Sequence, residues 1–278
     1  LSSSSAASDV YKRQGEHQAI TTRHWGIARE AQDELAYDSH MKLAKAYSDG
    51  LMGTLMTGYR GLAQDEYLRP ETSLEKLSSL TTVFGNDEPT MTAGNSTGLT
   101  DGASAVLVGT CEWARQRGIT PLARIVDFRS AAVDFVHGDE GLLMAPAYAM
   151  PELLDAHGLE LADIDFVEIH EAFAATVLTT LAAWESDEFC RERLGRDGAL
   201  GSIDRARLNV AGSSLATGHP FAATGGRIAA LLATVLHAAA RDTGRVQRGV
   251  MSVCAASGQG VVALLEADPT DLNEGELA

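Results

Sequence analysis

A chain of 278 residues, 45% of them apolar, is long enough to bury one large core or two smaller ones. Its formal charge of -16, from 38 acidic and 22 basic residues with no basic cluster, argues against a nucleic-acid partner and fits a solvated surface. No run of about 18 consecutive apolar residues suggests a membrane span, and three cysteines without ligand spacing argue against zinc or a disulfide framework and fit a reducing, cytoplasmic setting.

Residues 1–14 (LSSSSAASDVYKRQ) are Ser-rich and lack an apolar h-region, so they read as a disordered or foreign segment rather than a secretory signal. Residues 29–47 place Leu35, Ala36, Met41, Leu43, Ala44 and Tyr47 at roughly helical spacing. The stretch 48–90 is irregular, with Arg69-Pro70 and Asn86-Asp87 as loop signals. Within it, Thr72-Ser73-Leu74-Glu75 offers a hydroxyl cap for a short helix through Leu80. Beyond it the pattern alternates: a strand over 104–108, a helix over 111–117, a strand over 122–128 and a helix over 148–156. A strand over 165–169, a helix over 172–184 and a long helix over 227–241 follow, the last reading as buried. Strands over 249–254 and 260–266 close the chain, as a hairpin or as neighbours. This alternation predicts a layered α/β architecture.

Four short segments carry candidate chemistry. Residues 95–103 (NSTGLTDGA) put small and hydroxyl side chains ahead of an apolar run, which by itself is turn chemistry. In Glu168-Ile169-His170-Glu171-Ala172-Phe173-Ala174, His170 stands where a buried strand gives way to a helix, a place where side chains face a site above a sheet. In residues 218–226 (GHPFAATGG), His219 lies between Gly and Pro in a constrained loop that can bring backbone close to a ligand. Cys254 closes an apolar strand and is followed by Ala-Ala-Ser-Gly-Gln-Gly; such a cysteine is an inert core residue or faces a substrate channel.

Taken in order, HEAFA, GHPFAATGGR and CAASGQG resemble the C-terminal half of thiolases, and the resemblance reaches through NSTGLTDGA back to RPETSLEKLSSL, roughly residues 18–267. His170 in place of Asn, and the segment LLMAPAYAM at 142–150, resemble the degradative 3-ketoacyl-CoA thiolases, including the β-chain of fatty-acid oxidation complexes. The resemblance implies a layered α-β-α-β-α fold whose C-terminal domain (119–268) is complete. It also implies that residues 15–118 are part of an N-terminal domain with an inserted loop domain at about 36–90, and that residues 269–278 are a tail.

The resemblance further implies that His219 activates a nucleophilic cysteine and helps stabilise the thioester oxygen, and that Cys254 moves the proton at the substrate α-carbon. His170 would hold a water, or donate directly, at one oxyanion hole. The backbone N–H of Ala256 would serve the second hole, in the loop that contains Gly258, and Ser96 would lie near the pantetheine of coenzyme A. Coenzyme A enters as substrate beside a 3-ketoacyl-CoA; no further cofactor, metal, nucleic acid or membrane span is implied. The full-length protein would be a homodimer or tetramer, or an α-subunit of a fatty-acid oxidation complex. Two departures stand out: Ser257-Gly258 and Gly212-Ser213 replace Gly-Gly pairs, so that a positive φ at Ser257 would be strained.

The family's nucleophilic cysteine belongs upstream of these motifs. Cys111 lacks a small, Gly-rich setting, and Cys190 lies in a charged run that reads as a surface insertion. The expectation is therefore an N-terminally truncated enzyme of fatty-acid β-oxidation, inactive and poorly soluble as it stands. Its alternatives are a biosynthetic acetoacetyl-CoA thiolase or a non-catalytic acyl-CoA-binding remnant. A 3-ketoacyl-carrier-protein synthase shares the condensation chemistry, but the Cys254 motif speaks against it.

Overall fold

The structure is a computed structural model that describes residues 3–85, 88–137 and 140–270, with side chains from residue 10 onward. The Asn86-Asp87 loop signal and the tail from 271 lie outside the described residues. In chain order the helices are α1 (Ser3–His24), α2 (Arg29–Ser48), α3 (Leu74–Ser78), α4 (Cys111–Arg115), α5 (Ala145–His157), α6 (Ala174–Glu185), α7 (Asp187–Glu192), α8 (Ser214–Thr217) and α9 (Ala222–Thr243). The strands are β1 (Thr82–Phe84), β2 (Met91–Thr92), β3 (Arg124–Ala132), β4 (Phe166–Ile169), β5 (Gln247–Ala255) and β6 (Gln259–Ala267).

The main sheet runs β3-β6-β5-β4, antiparallel except for the parallel β4–β5 pair. Side chains alternate across a strand, so each strand feeds two cores. Val167, Ile169, Val250, Val262 and Leu264 pack with Met150, Leu153 and Leu154 of α5 and with Val177, Leu181 and Trp184 of α6. The intervening Met251, Ala263 and Leu265 pack with Leu232, Leu236 and Ala240 of α9. Helices thus cover both faces, the thiolase-like layering that the motifs imply. By length and composition alone α9 would reach across a membrane; in the fold its apolar stripe lies on the sheet.

Helix α5 contains a proline at Pro151, which has no N–H to give the Ala147 carbonyl one turn back. The indole Nε1 of Trp184 donates to that carbonyl at 3.1 Å, so a bond lost within α5 is replaced by one that pins α6 against it. Helix α6 is buried almost all round, which explains its uniformly apolar and Thr-rich sequence. The β5–β6 hairpin turns over residues 256–258, with Gly258 at φ 76, the left-handed position that closes a three-residue loop. A Cβ there would lie 2.7 Å from the Phe135 ring and 2.9 Å from the Val133 carbonyl.

Several expectations change. The segment expected to be disordered or foreign forms the first half of α1 from Ser3 on, and within it Tyr11 stacks on Phe173 and donates to the Thr97 carbonyl at 2.5 Å. Helix α2 runs unbroken over the helical spacing expected at 29–47, one residue further to Ser48. Ser73 caps α3 by accepting the Lys76 N–H at 3.2 Å, as its hydroxyl predicts, but the helix ends at Ser78. No strand forms over 104–108; residues 101–110 are irregular and exposed. Ser257 is not among the described residues with positive φ, so Gly258 carries the turn and the strain expected at Ser257 does not arise. Cys190 is fully buried in α7, with its thiol directed at the Ala183 and Trp184 carbonyls, so it is a core residue and no surface insertion.

Candidate active site

The site forms where β4 and β5 end side by side. The His170 N–H donates to the Ser252 carbonyl at 2.8 Å and extends the parallel ladder by one residue. By strand alternation Phe166, Glu168 and His170 share the face turned toward α9. The motif around His219 sits just before α9. Its N–H donates to the Gly98 carbonyl at 2.9 Å, and Leu99 and His219 form an isolated bridge. Gly218, at φ 83, makes this crossing possible: a Cβ there would fall 2.3 Å from the Thr100 side chain. Phe221 follows with φ 34, a strained conformation for a bulky residue. Its ring meets that of His219 edge-on at 4.7 Å.

These two crossings bring the imidazoles of His170 and His219 within 4.4 Å, centroid to centroid, at 43°. Nδ1 of His219 lies 2.8 Å from the Thr224 hydroxyl, and Nδ1 of His170 lies 2.7 Å from that of Ser214. Burial, aided by Arg227, lowers His219 to about 4. Burial, then His219 and Arg227, holds His170 well below the usual histidine range. Both rings are therefore neutral at pH 7, and a neutral imidazole offers one donor and one acceptor.

Cys254 belongs to the other alternation of β5. It is half-buried and packs against the Ala172–Phe173 turn two residues beyond His170, with Phe84, Met91, Leu142 and Leu143 around it. Burial pushes its thiol up to about 12, so it rests as a protonated acid. Among the described residues no hydrogen bond joins Cys254 to either histidine; the three residues share one end of the sheet rather than one chain of contacts. Ala256 is exposed at the tip of the β5–β6 turn. Ser96 is buried and bridges to Phe173, which stitches the 95–97 segment to the start of α6. Cys111 is exposed on α4, apart from this site. The two cavities along α1 and α2 contain none of His170, His219 and Cys254.

Beneath the histidines lies a polar layer that the motif reading left unassigned. Asn209, at φ 45, occupies the place of a further strand beside β4: its Oδ1 accepts the Ile169 N–H at 2.8 Å and its Nδ2 donates to the Ile169 carbonyl at 3.0 Å. The same Nδ2 donates to Glu171 at 2.8 Å. Glu171 also accepts the Ser39 hydroxyl at 2.7 Å and the Leu215 N–H at 3.0 Å. Three donors offset much of the cost of burying this carboxyl, whose pKa is nonetheless raised by burial. Glu168 is buried as well and raised to about 8, by burial first, with Arg227 opposing. Only the Glu of HEAFA and the Arg of GHPFAATGGR hinted at this layer, because nothing local in a sequence pairs residues 40 positions apart.

Residues 4–112 match the family model described as Thiolase, N-terminal domain, and residues 119–267 match Thiolase, C-terminal domain. A 3-ketoacyl-CoA thiolase of Pectobacterium carotovorum is 41% identical over 263 residues, 92% of this chain and 58% of that relative. One from Pseudoalteromonas atlantica is 42% identical over 87% of this chain and 55% of its own length. Among solved structures, human mitochondrial 3-ketoacyl-CoA thiolase in complex with CoA superposes with a TM-score of 0.74 at 30% identity, covering 91% of this chain and 58% of that one. A Bacillus anthracis acetyl-CoA acetyltransferase gives 0.73 at 32%, covering 91% and 59%. The chain thus spans less than two thirds of the length of these relatives, and it belongs to the thiolase family.

Proposed function

We propose that this chain carries the proton-transfer and oxyanion part of a thiolase site, acting on 3-ketoacyl-CoA in the thiolytic direction of fatty-acid β-oxidation. The observation that supports it is the pair of neutral imidazoles 4.4 Å apart beside the strand end that bears Cys254. Thiolysis breaks the bond between the α-carbon and the keto carbon. The acyl group passes to a nucleophilic thiolate, the bonding pair passes to the α-carbon with charge on the thioester oxygen, and the α-carbon takes up a proton. Neutral imidazole N–H groups at His170 and His219 are donors for that oxygen. Cys254, held as a thiol by burial, gives the proton, and the thiol of incoming coenzyme A restores it when the acyl group is transferred on.

The acylated nucleophile is none of the three cysteines. Cys190 is sealed in the core, Cys111 is exposed on a short helix, and Cys254 is the acid. His170, at a position where biosynthetic relatives carry Asn, favours the degradative substrate class.

One partial reaction isolates these residues: exchange of the α-protons of acetyl-CoA with solvent needs the acid/base and the oxyanion donors but no acyl-accepting cysteine. With acetyl-CoA in D2O, mass spectrometry is expected to show deuterium entering the acetyl group faster than in buffer. Cys254→Ala is expected to slow that exchange by about 10²–10⁴-fold. Exchange no faster than in buffer, or indifferent to Cys254→Ala, sinks the reading.

A further inference from the structure

Two hydrogen bonds meet on the Ser214 hydroxyl. Nη2 of Arg227 donates to Ser214 Oγ at 3.0 Å, and Ser214 Oγ lies 2.7 Å from Nδ1 of His170. Ser214 and His170 are fully buried; Arg227 is half-buried, with its Nε sealed from solvent. The same Nη2 also donates to Ser213 at 3.2 Å, and the carboxyls of Glu168, Glu171 and Asp65 lie around the guanidinium.

A guanidinium only donates, so Arg227 occupies a lone pair of Ser214 Oγ and never takes its proton. The hydroxyl proton of Ser214 still needs an acceptor, because a buried donor left unmade is costly. Among the described residues, Nδ1 of His170 is the acceptor within reach. If Nδ1 accepts, the single proton of the neutral imidazole sits on Nε2.

We propose that Ser214, oriented by Arg227, fixes His170 as its Nε2–H tautomer, so that His170 meets a ligand as a hydrogen-bond donor and not as an acceptor. Ser214 and Arg227 are then positioning residues: they touch no substrate but decide which nitrogen carries the proton. The ligand class follows, namely an oxygen acceptor such as a thioester carbonyl, or a water held between the two. That last assignment rests on the thiolase reading; the tautomer does not.

The test reads the tautomer directly. Two-bond 1H–15N spectra of the 15N-labelled 278-residue chain distinguish a protonated from an unprotonated imidazole nitrogen, and His170→Gln assigns the signals. At neutral pH the wild-type protein is expected to show His170 as the Nε2–H form. Ser214→Ala is expected to move the balance toward Nδ1–H by about tenfold. A wild-type His170 that is mainly Nδ1–H overturns the proposal without recourse to any variant, as does an unchanged balance in a folded Ser214→Ala protein. Neither measurement involves turnover, so loss of the tautomer and loss of acetyl-CoA exchange report separately on the inference and on the proposed function.

Discussion

Residues 166–169 and residues 104–108 offer similar sequence signals, a short apolar run ahead of a helix, yet they end in opposite states. The first is β4, paired with β5 on one side and with the Asn209 segment on the other, with Val167 and Ile169 buried. The second has no strand partner among the described residues; Ser104 donates its hydroxyl to the Ala223 carbonyl at 2.8 Å, but Val106, Leu107 and Val108 are 46%, 72% and 68% exposed. Strand propensity describes fit to a pleated, half-buried surface, so an apolar run becomes a strand only where a neighbour satisfies its backbone and a helix covers its face. Residues 104–108 have the composition without the neighbour.

The region around β4 is therefore where substitutions are expected to matter most, and its most sensitive point is Trp184. This side chain is fully buried against α5 and supplies the donor that Pro151 withholds. Trp184→Ala is expected to cost about 3–5 kcal/mol, read as a shift in urea midpoint. Trp184→Phe keeps most of the volume but leaves the Ala147 carbonyl unpaired, and is expected to cost about 1–3 kcal/mol. If the two variants prove equally mild, the indole bond has no structural role.

Acid should weaken the same region next. His219 and the buried His40 are both lowered to about 4, His40 by burial and then by Arg69. An unfolded histidine takes its proton near 6.5, so between there and about 4 the unfolded chain binds more protons than the fold. Stability contributed by these rings is whole above that window and is lost as the pH falls through it, by up to about 3 kcal/mol each. Urea midpoints across this range are expected to fall with pH, and His40→Gln is expected to flatten the slope. A flat wild-type profile contradicts the buried, neutral assignment.

Glu168 works in the opposite sense. Its carboxyl titrates near 8 in the fold against about 4.5 unfolded, so its contribution is present at low pH and lost as the pH rises through 8. Glu168→Gln is expected to be neutral near pH 4.5 and to gain about 1–2 kcal/mol above pH 8. A gain of equal size at both pH values would point to packing instead of charge.

How much of this was legible follows the range of each interaction. The helices read over 29–47, 148–156, 172–184 and 227–241 were visible because apolar period is local, and their ends moved by up to five residues to 29–48, 145–157, 174–185 and 222–243. The histidines and Cys254 stood out through motifs whose constrained backbone is also local: Gly218 before His219, and the three-residue turn after Ala255. The start of α1 was misread because a Ser-rich composition does not reveal that Tyr11 will find Phe84 and Phe173. Cys190 was misread because charged neighbours on a short helix say nothing about its buried side. Ser214 and Asn209 stayed silent because their roles exist only between segments distant in sequence. A reading of single residues finds the groups that carry protons more readily than the groups that aim them.

The smallest effect is the sharpest test of the comparison itself. If residues 104–108 fail to form a strand for want of a strand partner, the exposed side chains of Val106, Leu107 and Val108 contribute almost nothing to the stability of this chain. Leu107→Ser is then expected to stay within about 0.5 kcal/mol of wild type, whereas Leu264→Ala, on the paired strand β6, is expected to cost about 2–5 kcal/mol. Urea titration of both variants decides it. A Leu107→Ser loss approaching that of Leu264→Ala would mean that the segment is buried in solution, against its exposure here, and that propensity had found a partner after all. Equal solubility of Leu107→Ser and wild type would mean that this patch does not drive association, whereas better solubility of the variant would mark Val106–Leu107–Val108 as an apolar surface that the chain would gain by covering.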